Sequence, residues 1–133
     1  MRHRTVQGII LIAGCVLMAS IDAFARAPTR YNCTFVTYAS ERGLSRLDSP
    51  FVAEFIVDWD QHKAVLVGPN GIANIQLVHG STATSFVETL GTGVVQTTTV
   101  ARDLRAVHSR HTILSGSPDL PIWSQNYGSC IQK

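Results

Sequence analysis

The sequence predicts an all-β fold: a small antiparallel meander of about eight strands, closed or nearly closed into a barrel. Short runs rich in Val, Ile, Thr and aromatic residues recur between turn signals, and none has the periodicity of an amphipathic helix. Consecutive tight turns favour up-and-down strand order. A cysteine near each end of the exported part favours closure, because a disulfide between the first and last strands would join the two edges of the sheet.

Residues 1–25 have the three parts of a secretory signal peptide. Basic residues occupy positions 2–4, the run Ile9–Ala19 is apolar, and Ala23-Phe24-Ala25 forms an A-x-A cleavage site. The apolar run is shorter than the ~20 residues that a helix needs to cross a bilayer. We therefore expect cleavage after Ala25, one β-barrel-like domain over residues 26–133, and a periplasmic or secreted protein.

A lipoprotein is the alternative form of export. Ile12-Ala13-Gly14-Cys15 resembles the bacterial lipobox, in which the cysteine is lipid-modified and becomes the new N-terminus. Apolar sequence continues past Cys15 to Ala19 and an A-x-A site follows, which favours the soluble product. Lipidation of Cys15 would anchor the same fold to a membrane, and no other membrane contact is predicted.

Cys33 and Cys130 are the cysteines of the mature chain, and we expect them to form a disulfide. An even number of cysteines in a short exported chain is typical of disulfide bonding. Closing a loop of ~100 residues contributes ~4.7 kcal/mol in the chain-entropy model, a large share of the ~5–15 kcal/mol by which small domains are stable. A reactive or metal-ligating pair would need a C-x-x-C spacing or a second ligand cluster, which the sequence lacks.

Composition agrees with one globular domain of low net charge. Removal of Arg2, Arg4 and Asp22 with the leader leaves nine of the eleven Lys and Arg residues and eight of the nine Asp and Glu residues. The chain has no basic stripe and no acidic run, so its charge predicts no nucleic-acid partner. Repeats of ~20–50 residues are absent, which argues against a solenoid or a propeller.

The best-defined element is the hairpin Val94–Thr112, in which the runs VVQTTTV and AVHSRHT flank the polar turn ARDLR. The polar segment Ala39–Pro50 is predicted to be a loop or at most one helical turn. Beyond Thr112 the chain loosens through Ile113–Leu114 and SGSPDLP before a closing edge strand. The strands predicted outside the hairpin are Arg30–Tyr38, Phe51–Asp58, Lys63–Val67, Ile72–His79, Ala83–Leu90 and Ile122–Cys130.

Alternation assigns the two faces of these strands. One side of the second strand carries four apolar residues, Phe51, Ala53, Phe55 and Val57. In AVHSRHT, the face with Val107, Ser109, His111 and Ile113 is predicted to look inward. His111 would then be a buried histidine, hydrogen-bonded to a threonine or to Gln96 of the neighbouring strand. The other face, with His108 and Arg110, is predicted to be a solvated outer wall.

The candidate ligand-binding residues are His108, Arg110, His111, Gln96 and Thr98. His108 and Arg110 share a face, and an arginine can hold a carboxylate or phosphate through its bidentate fork. Thr98 and Gln96 can line a polar cavity, although cross-strand threonines also stabilise ordinary sheets. His108 and His111 are three residues apart and point to opposite faces, so they cannot share a metal ion. No metal, cofactor or catalytic residue is predicted.

Catalytic signatures are missing from the sequence, which contains no G-x-S-x-G elbow, no H-E-x-x-H and no glycine-rich phosphate loop. Ser109, His111 and Asp103 supply the residue types of a nucleophilic triad, but most β proteins offer such a triple. A hydrolase or metal-dependent enzyme built on residues 106–112 is therefore the least favoured function.

Four segments together resemble a family of small exported bacterial β-barrel proteins without an assigned activity: YNCTF at 31–35, VQTTT at 95–99, AVHSRHT at 106–112 and YGSC at 127–130. The start Tyr31-Asn32-Cys33 is also similar to the Y-x-C start of the periplasmic c-type lysozyme inhibitors, which are small disulfide-bonded β-barrels. Their inhibitory S-G-x-x-Y loop is not reproduced, because the segment SGSPD at 115–119 lacks the tyrosine. These resemblances imply an architecture and no activity.

Two classes of function lead. The first is a non-catalytic exported barrel that binds a protein or a small apolar or anionic molecule in the barrel or at its rim. The second is an envelope structural or interaction protein, or a lipoprotein, without a ligand site. A concave pocket with converging polar groups would favour the first, and an exposed apolar patch of more than a few hundred Å² would favour the second.

Overall fold

A computed structural model of the chain describes residues 25–112 and 122–133. The predicted leader with Cys15 lies outside the described residues, except for Ala25. The predicted segment Ile113–Leu114 and the segment compared with the inhibitory loop, residues 115–119, lie outside them as well. Within the described ranges, no helix is long and apolar enough to span a membrane.

Eight antiparallel strands close into a barrel in sequence order, with the first strand paired to the last. This confirms the predicted fold class and the predicted hairpin Val94–Thr112. Runs of β-branched and aromatic residues favour the strands, and the short turns between them place consecutive strands side by side in up-and-down order. The strands are β1 (Thr29–Ser40), β2 (Gly43–Asp58), β3 (Lys63–Gly68), β4 (Gly71–His79), β5 (Ala83–Thr89), β6 (Val95–Ala101), β7 (Arg105–Thr112) and β8 (Ile122–Gln132).

The predicted loop Ala39–Pro50 is wrong, because this segment continues the β1–β2 hairpin. Thr37 to Ser40 pair with Arg46 to Gly43 across a tight turn. Gly43 has a φ of 102°, a backbone conformation that a residue with a side chain rarely adopts. Polar composition predicted a loop, but both sides of a hairpin extending into solvent can be polar and still form ladder hydrogen bonds. The final strand, predicted to be an edge, is paired on both sides with β7 and β1.

The disulfide joins Cys33 to Cys130, as predicted. The two residues are directly opposite each other in the β1–β8 ladder, and both are buried. The bond therefore crosses the seam at which the two ends of the sheet meet. Such a bond is consistent with an oxidising, exported compartment.

The inward faces of the strands fill the barrel with apolar side chains. Ala53, Phe55 and Val57 are buried, which confirms the predicted inner face of β2. At mid-height, the ring of Phe86 stacks on Phe55 with centroids 4.3 Å apart and is tilted against Tyr31 at 5.7 Å. These three rings lie across the interior between its two ends.

The predicted faces of β7 are reversed. Ala106 and His108 are buried, whereas His111 is exposed on the outer wall. Both faces of AVHSRHT carry polar groups, so composition does not show which face points inward. A shift of the strand by one residue exchanges the two faces. The interior of an eight-stranded barrel is narrow. Ala106 lies inside it, and Val107 lies outside and is half-buried.

Both ends of the barrel carry charged residues, but they differ in their exposed apolar residues. The turns β2–β3, β4–β5 and β6–β7 lie at the end where β1 begins and β8 ends, and this end carries Asp60, Lys63, Asp103, Arg105 and Lys133. The turns β1–β2, β3–β4 and β5–β6 lie at the opposite end, which we call the open mouth. Exposed apolar residues gather there, including Leu44, Ile72 and Val95.

Candidate functional site

Two inward rows of side chains on β5 to β8 form one side of the open mouth. The row nearer the rim runs across four neighbouring strands, and the ladder pairs give its order as Glu88, Gln96, Arg110 and Ser124. The row one step deeper is formed in the same way by Phe86, Thr98, His108 and Asn126. Polar groups from four consecutive strands therefore converge at one end of the barrel.

A cavity of ≈ 180 Å³, which we call the apolar compartment, opens at this mouth. Glu88, Gln96, Thr98 and His108 contribute its polar lining. The apolar lining comes mainly from aromatic and aliphatic side chains of β2 to β5: Phe51, Ala53, Phe55, Leu66, Ile75 and Phe86. Phe51 remains 38% exposed at the entrance, so this wall is reached from solvent.

A second cavity of ≈ 180 Å³, the polar compartment, adjoins the first. Its lining is Phe51, Gln96, His108, Arg110, Ser124 and Asn126. Phe51, Gln96 and His108 line both compartments, so the two are neighbouring parts of one mouth. Arg110 is the charged member of the polar lining, and the other polar members are uncharged hydrogen-bonding groups.

His108 stands at the boundary between the compartments. Its Nδ1 lies 2.8 Å from Oγ1 of Thr98. Its ring lies 5.0 Å from that of Phe51 and 5.9 Å from that of Phe35, between centroids. Burial, and then the positive charge of Arg110, lower the pKa of His108 to about 4. The imidazole is therefore neutral at pH 7, with one donor and one acceptor nitrogen.

Glu88 and Gln96 form the polar lip of the apolar compartment. Gln96 Nε2 donates a hydrogen bond of 3.3 Å to Glu88 Oε2. The contact ties the two side chains across β5 and β6. It also places a carboxylate on the side of the mouth away from Arg110, with Gln96 between them in the row.

Four of the five residues predicted to bind a ligand come together at this mouth: Gln96, Thr98, His108 and Arg110. The fifth, His111, lies outside the barrel between Val95 and Trp123 in the ladder. The prediction that His111 is the buried histidine bonded to a threonine is wrong, because His108, predicted to lie on the outer wall, makes that contact with Thr98.

Sequence reasoning missed most of the apolar wall and the contribution of β8. Leu66, Ile75 and Phe86 carry the alternation that would have placed them inward, once the faces of their strands were known. Ser124 and Asn126 had no usable signal, because IWSQNYGSC has polar residues on both faces. Their role follows only from the register between β7 and β8.

The hydroxyl–imidazole contact between Thr98 and His108 raises the question of proton transfer. An imidazole with a pKa of about 4 is a weak general base at neutral pH, since the most effective base has a pKa near the working pH. The triple Ser109, His111 and Asp103 is not assembled: Asp103 lies in the β6–β7 turn at the other end and is bonded to Arg105. The described part of the chain contains no group of three His, Cys, Asp or Glu side chains placed to hold a metal ion.

Comparisons of the chain with protein-family models, with curated proteins and with solved structures find no match. What the protein does must therefore be inferred from the geometry of its own mouth.

Proposed function

We propose that this protein is an exported, non-catalytic β-barrel that binds a small molecule in its open mouth, within the cell envelope or outside it. The observation that carries the proposal is the pair of adjoining compartments that meet at His108. Ligand sites are typically concave and mostly apolar, with a few convergent polar groups. The open mouth has that composition.

The volumes limit the size of the ligand. An apolar cavity of ~150 Å³ is enough for one benzene ring, and sites for drug-sized ligands span ~300–1,000 Å³. Each compartment measures ≈ 180 Å³, so each accommodates one compact group. The ligand is therefore a small two-part molecule and not a long lipid.

Export is supported by the disulfide and by the signal peptide that the sequence predicts over residues 1–25. The backbone nitrogen of Arg26 lies 2.8 Å from Asp60 Oδ2. Cleavage after Ala25 would turn this nitrogen into an ammonium beside a carboxylate, a favourable although exposed contact. The mature chain would then be a soluble periplasmic or secreted domain, with membrane attachment only if Cys15 is lipidated.

Binding, and not catalysis, is the function best supported by the electrostatics of the mouth. His108 stays neutral at pH 7 and is held by Thr98, so it offers a fixed hydrogen-bonding group to a ligand. A neutral, fixed imidazole is suited to recognition, whereas a general base needs a pKa closer to the ambient pH.

A filled-cavity variant tests the proposal. Leu66→Trp places a larger ring in the apolar compartment, and Val65→Trp makes the same change on the neighbouring residue, which points to the outer face. Native mass spectrometry of mature protein purified from its own host identifies the cleavage site, the disulfide and any retained small molecule. We expect a retained molecule in wild type and V65W and its loss in L66W.

Circular dichroism and the elution volume show whether both variants keep the fold. Retention of the same molecule by L66W would contradict the proposal, and so would a failure of wild type to retain or rebind any small molecule. If L66W does not fold, Ile75→Phe fills the same compartment with a smaller change.

An interaction protein without a ligand site is the second candidate. Trp123 is 43% exposed on the outer wall, in a ladder row with Val95 and His111. An exposed tryptophan flanked by uncharged residues is a common anchor of protein interfaces. Photo-crosslinking from position 123 in cells would give a discrete product if this function holds, whereas position 65, on the other side of the barrel, would give none.

A further inference from the structure

We infer that the ligand of the open mouth is a monocarboxylate that carries one compact apolar group, such as an aryl ring or a short branched chain. The inference rests on the proposed function and adds the chemical class of the ligand. It follows from how charge and hydrogen-bond donors are distributed between the two compartments.

The polar compartment is built for an anionic acceptor. Arg110 lines it, and its planar guanidinium presents paired donors that match the two oxygens of a carboxylate. Ser124 and Asn126 line the same compartment from β8 and can each donate to an oxygen. Among the described residues that line this compartment, none carries a carboxylate to compete with the ligand.

His108 can add a donor to this set. Its Nδ1 is held at 2.8 Å from the Thr98 hydroxyl, which leaves Nε2 as the remaining polar atom of the ring. If Thr98 donates to Nδ1, the single proton of the neutral imidazole lies on Nε2 and can be donated to a ligand oxygen. A ligand oxygen that accepts a hydrogen bond therefore favours the tautomer in which Thr98 donates to Nδ1 and Nε2 donates to the ligand.

The apolar compartment determines the size of the apolar group of the ligand. Aromatic and aliphatic walls from β2 to β5 enclose ≈ 180 Å³, which suits a single ring or a short branched chain. The boundary residue Phe51 lines both compartments. One ligand can therefore place its ring beside Phe51 and its carboxylate beside Arg110.

Glu88 explains why one carboxylate is expected and not two. It lines the apolar compartment and is tied to Gln96. A second carboxylate at the apolar end of the ligand would meet the charge of Glu88 in a site partly shielded from water, where like charges repel strongly. The mouth therefore selects against ligands that carry a second carboxylate at their apolar end.

Isothermal titration with three probes tests the inference on the mature, oxidised protein at pH 7. Phenylacetate has the proposed class, phenylacetamide is its neutral near-isostere, and 4-carboxyphenylacetate adds a carboxylate at the far end of the ring. We expect phenylacetate to bind about tenfold or more tightly than either of the other two, the size of effect typical of one charge-assisted pair.

Three variants at two arginines separate the role of the site from the overall charge. Arg110→Gln should lower the affinity for phenylacetate about tenfold and leave that for phenylacetamide unchanged, while Arg110→Lys should keep part of the difference because it retains charge without the fork. Arg42→Gln is the matched control. Arg42 is an exposed arginine in the β1–β2 turn at the same end of the barrel and lines neither compartment, so its loss should leave all three affinities unchanged.

The outcomes distinguish the inference from the proposed function. Equal affinities for phenylacetate and phenylacetamide, both lost in L66W, would overturn the carboxylate class and keep the binding function. Equal losses in R110Q and R42Q would also overturn it, because a general charge effect would then explain the preference. If none of the aryl probes binds at millimolar concentration and the host protein retains no ligand, both the inference and the proposed function fail.

Discussion

Thr98 and His108 lie directly opposite each other on β6 and β7, and Thr98 Oγ1 is 2.8 Å from His108 Nδ1 inside the barrel. Both residues are buried, and the histidine is only 8% exposed. The contact is a side-chain hydrogen bond in an interior that is otherwise mainly apolar. It fixes the ring of a residue that lines both compartments of the mouth, so it contributes to stability and to the shape of the site.

The stability of the fold should depend on pH through His108. Its pKa is about 4 in the folded protein and about 6.5 in an unfolded chain, so the unfolded state binds more protons between these values. The contribution of His108 is therefore fully present above pH 6.5, falls as the pH decreases from 6.5 to 4, and changes no further below 4. We expect a loss of about 1–3 kcal/mol in the free energy of unfolding over that window.

Urea unfolding at a series of pH values measures this loss. His108→Gln should flatten the curve between pH 6.5 and 4, while His111→Gln, which changes an exposed histidine on the same strand, should leave it as in wild type. A wild-type curve that is already flat in this window would show that His108 titrates like a solvated histidine.

Removal of the Thr98 hydroxyl should destabilise the protein. Thr98→Val keeps the shape of the side chain but leaves the buried Nδ1 of His108 without its partner, which costs about 1–3 kcal/mol. Thr98→Ser retains the hydroxyl and should cost less. The matched control is Thr99→Val, on the outer face, where the hydroxyl contacts Ser85 in a partly buried position and its loss should cost less than that of Thr98. Thermal melts of the three variants should therefore rank T98V as the least stable.

The architecture was predictable because its signals are local and repeated. Turn residues separate the strands, the alternating run Phe51 to Val57 gives the inner face of β2, and two cysteines allow one internal pairing. The turns and the alternation need only a few residues of neighbouring sequence, and the disulfide needs only the number of cysteines. The β1–β2 hairpin was missed because the segment from Ala39 to Pro50 is polar and the hydrogen bonds that order it belong to the backbone.

The site was only partly predictable, since a strand with polar groups on both faces does not reveal which one is inside. In β7, His108 and His111 are equally plausible inner residues by composition, and the register with Thr98 decides between them. Register depends on pairing across the whole closed sheet. Ser124 and Asn126 lie on β8, which has polar residues on both faces, so no local pattern could place them beside Arg110.

Loss of the disulfide should destabilise the barrel strongly. Cys33 and Cys130 connect β1 to β8 across the seam of the sheet, and they are 97 residues apart in sequence. The double variant Cys33→Ala/Cys130→Ala should lose about 2–5 kcal/mol, chiefly because its unfolded chain is less restricted. Reduction of the wild type with dithiothreitol before unfolding should give a similar loss. A variant within about 0.5 kcal/mol of the oxidised wild type would show that ladder hydrogen bonds alone hold the seam.

Gly128 should tolerate no side chain, because β1 passes directly over its Cα. A Cβ placed there would lie 1.9 Å from the carbonyl oxygen of Thr34 and 2.7 Å from the Cα of Phe35. Both are backbone atoms beside the irregularity in β1 between Phe35 and Thr37, so rotation of a side chain cannot relieve the overlap. Gly128→Ala should therefore shift β1 or break its pairing with β8, at a cost of more than about 3 kcal/mol.

Gly91→Ala is the control for that substitution. Gly91 has no neighbouring atom within 4 Å of an added Cβ and no positive φ, so alanine there should change the free energy of unfolding by less than about 0.5 kcal/mol. Amide hydrogen exchange adds a local readout: in G128A, protection should fall first along the β1–β8 ladder, where Cys33 pairs with Cys130. Similar stabilities for the two variants would mean that the strands at the seam are farther apart than the structure places them.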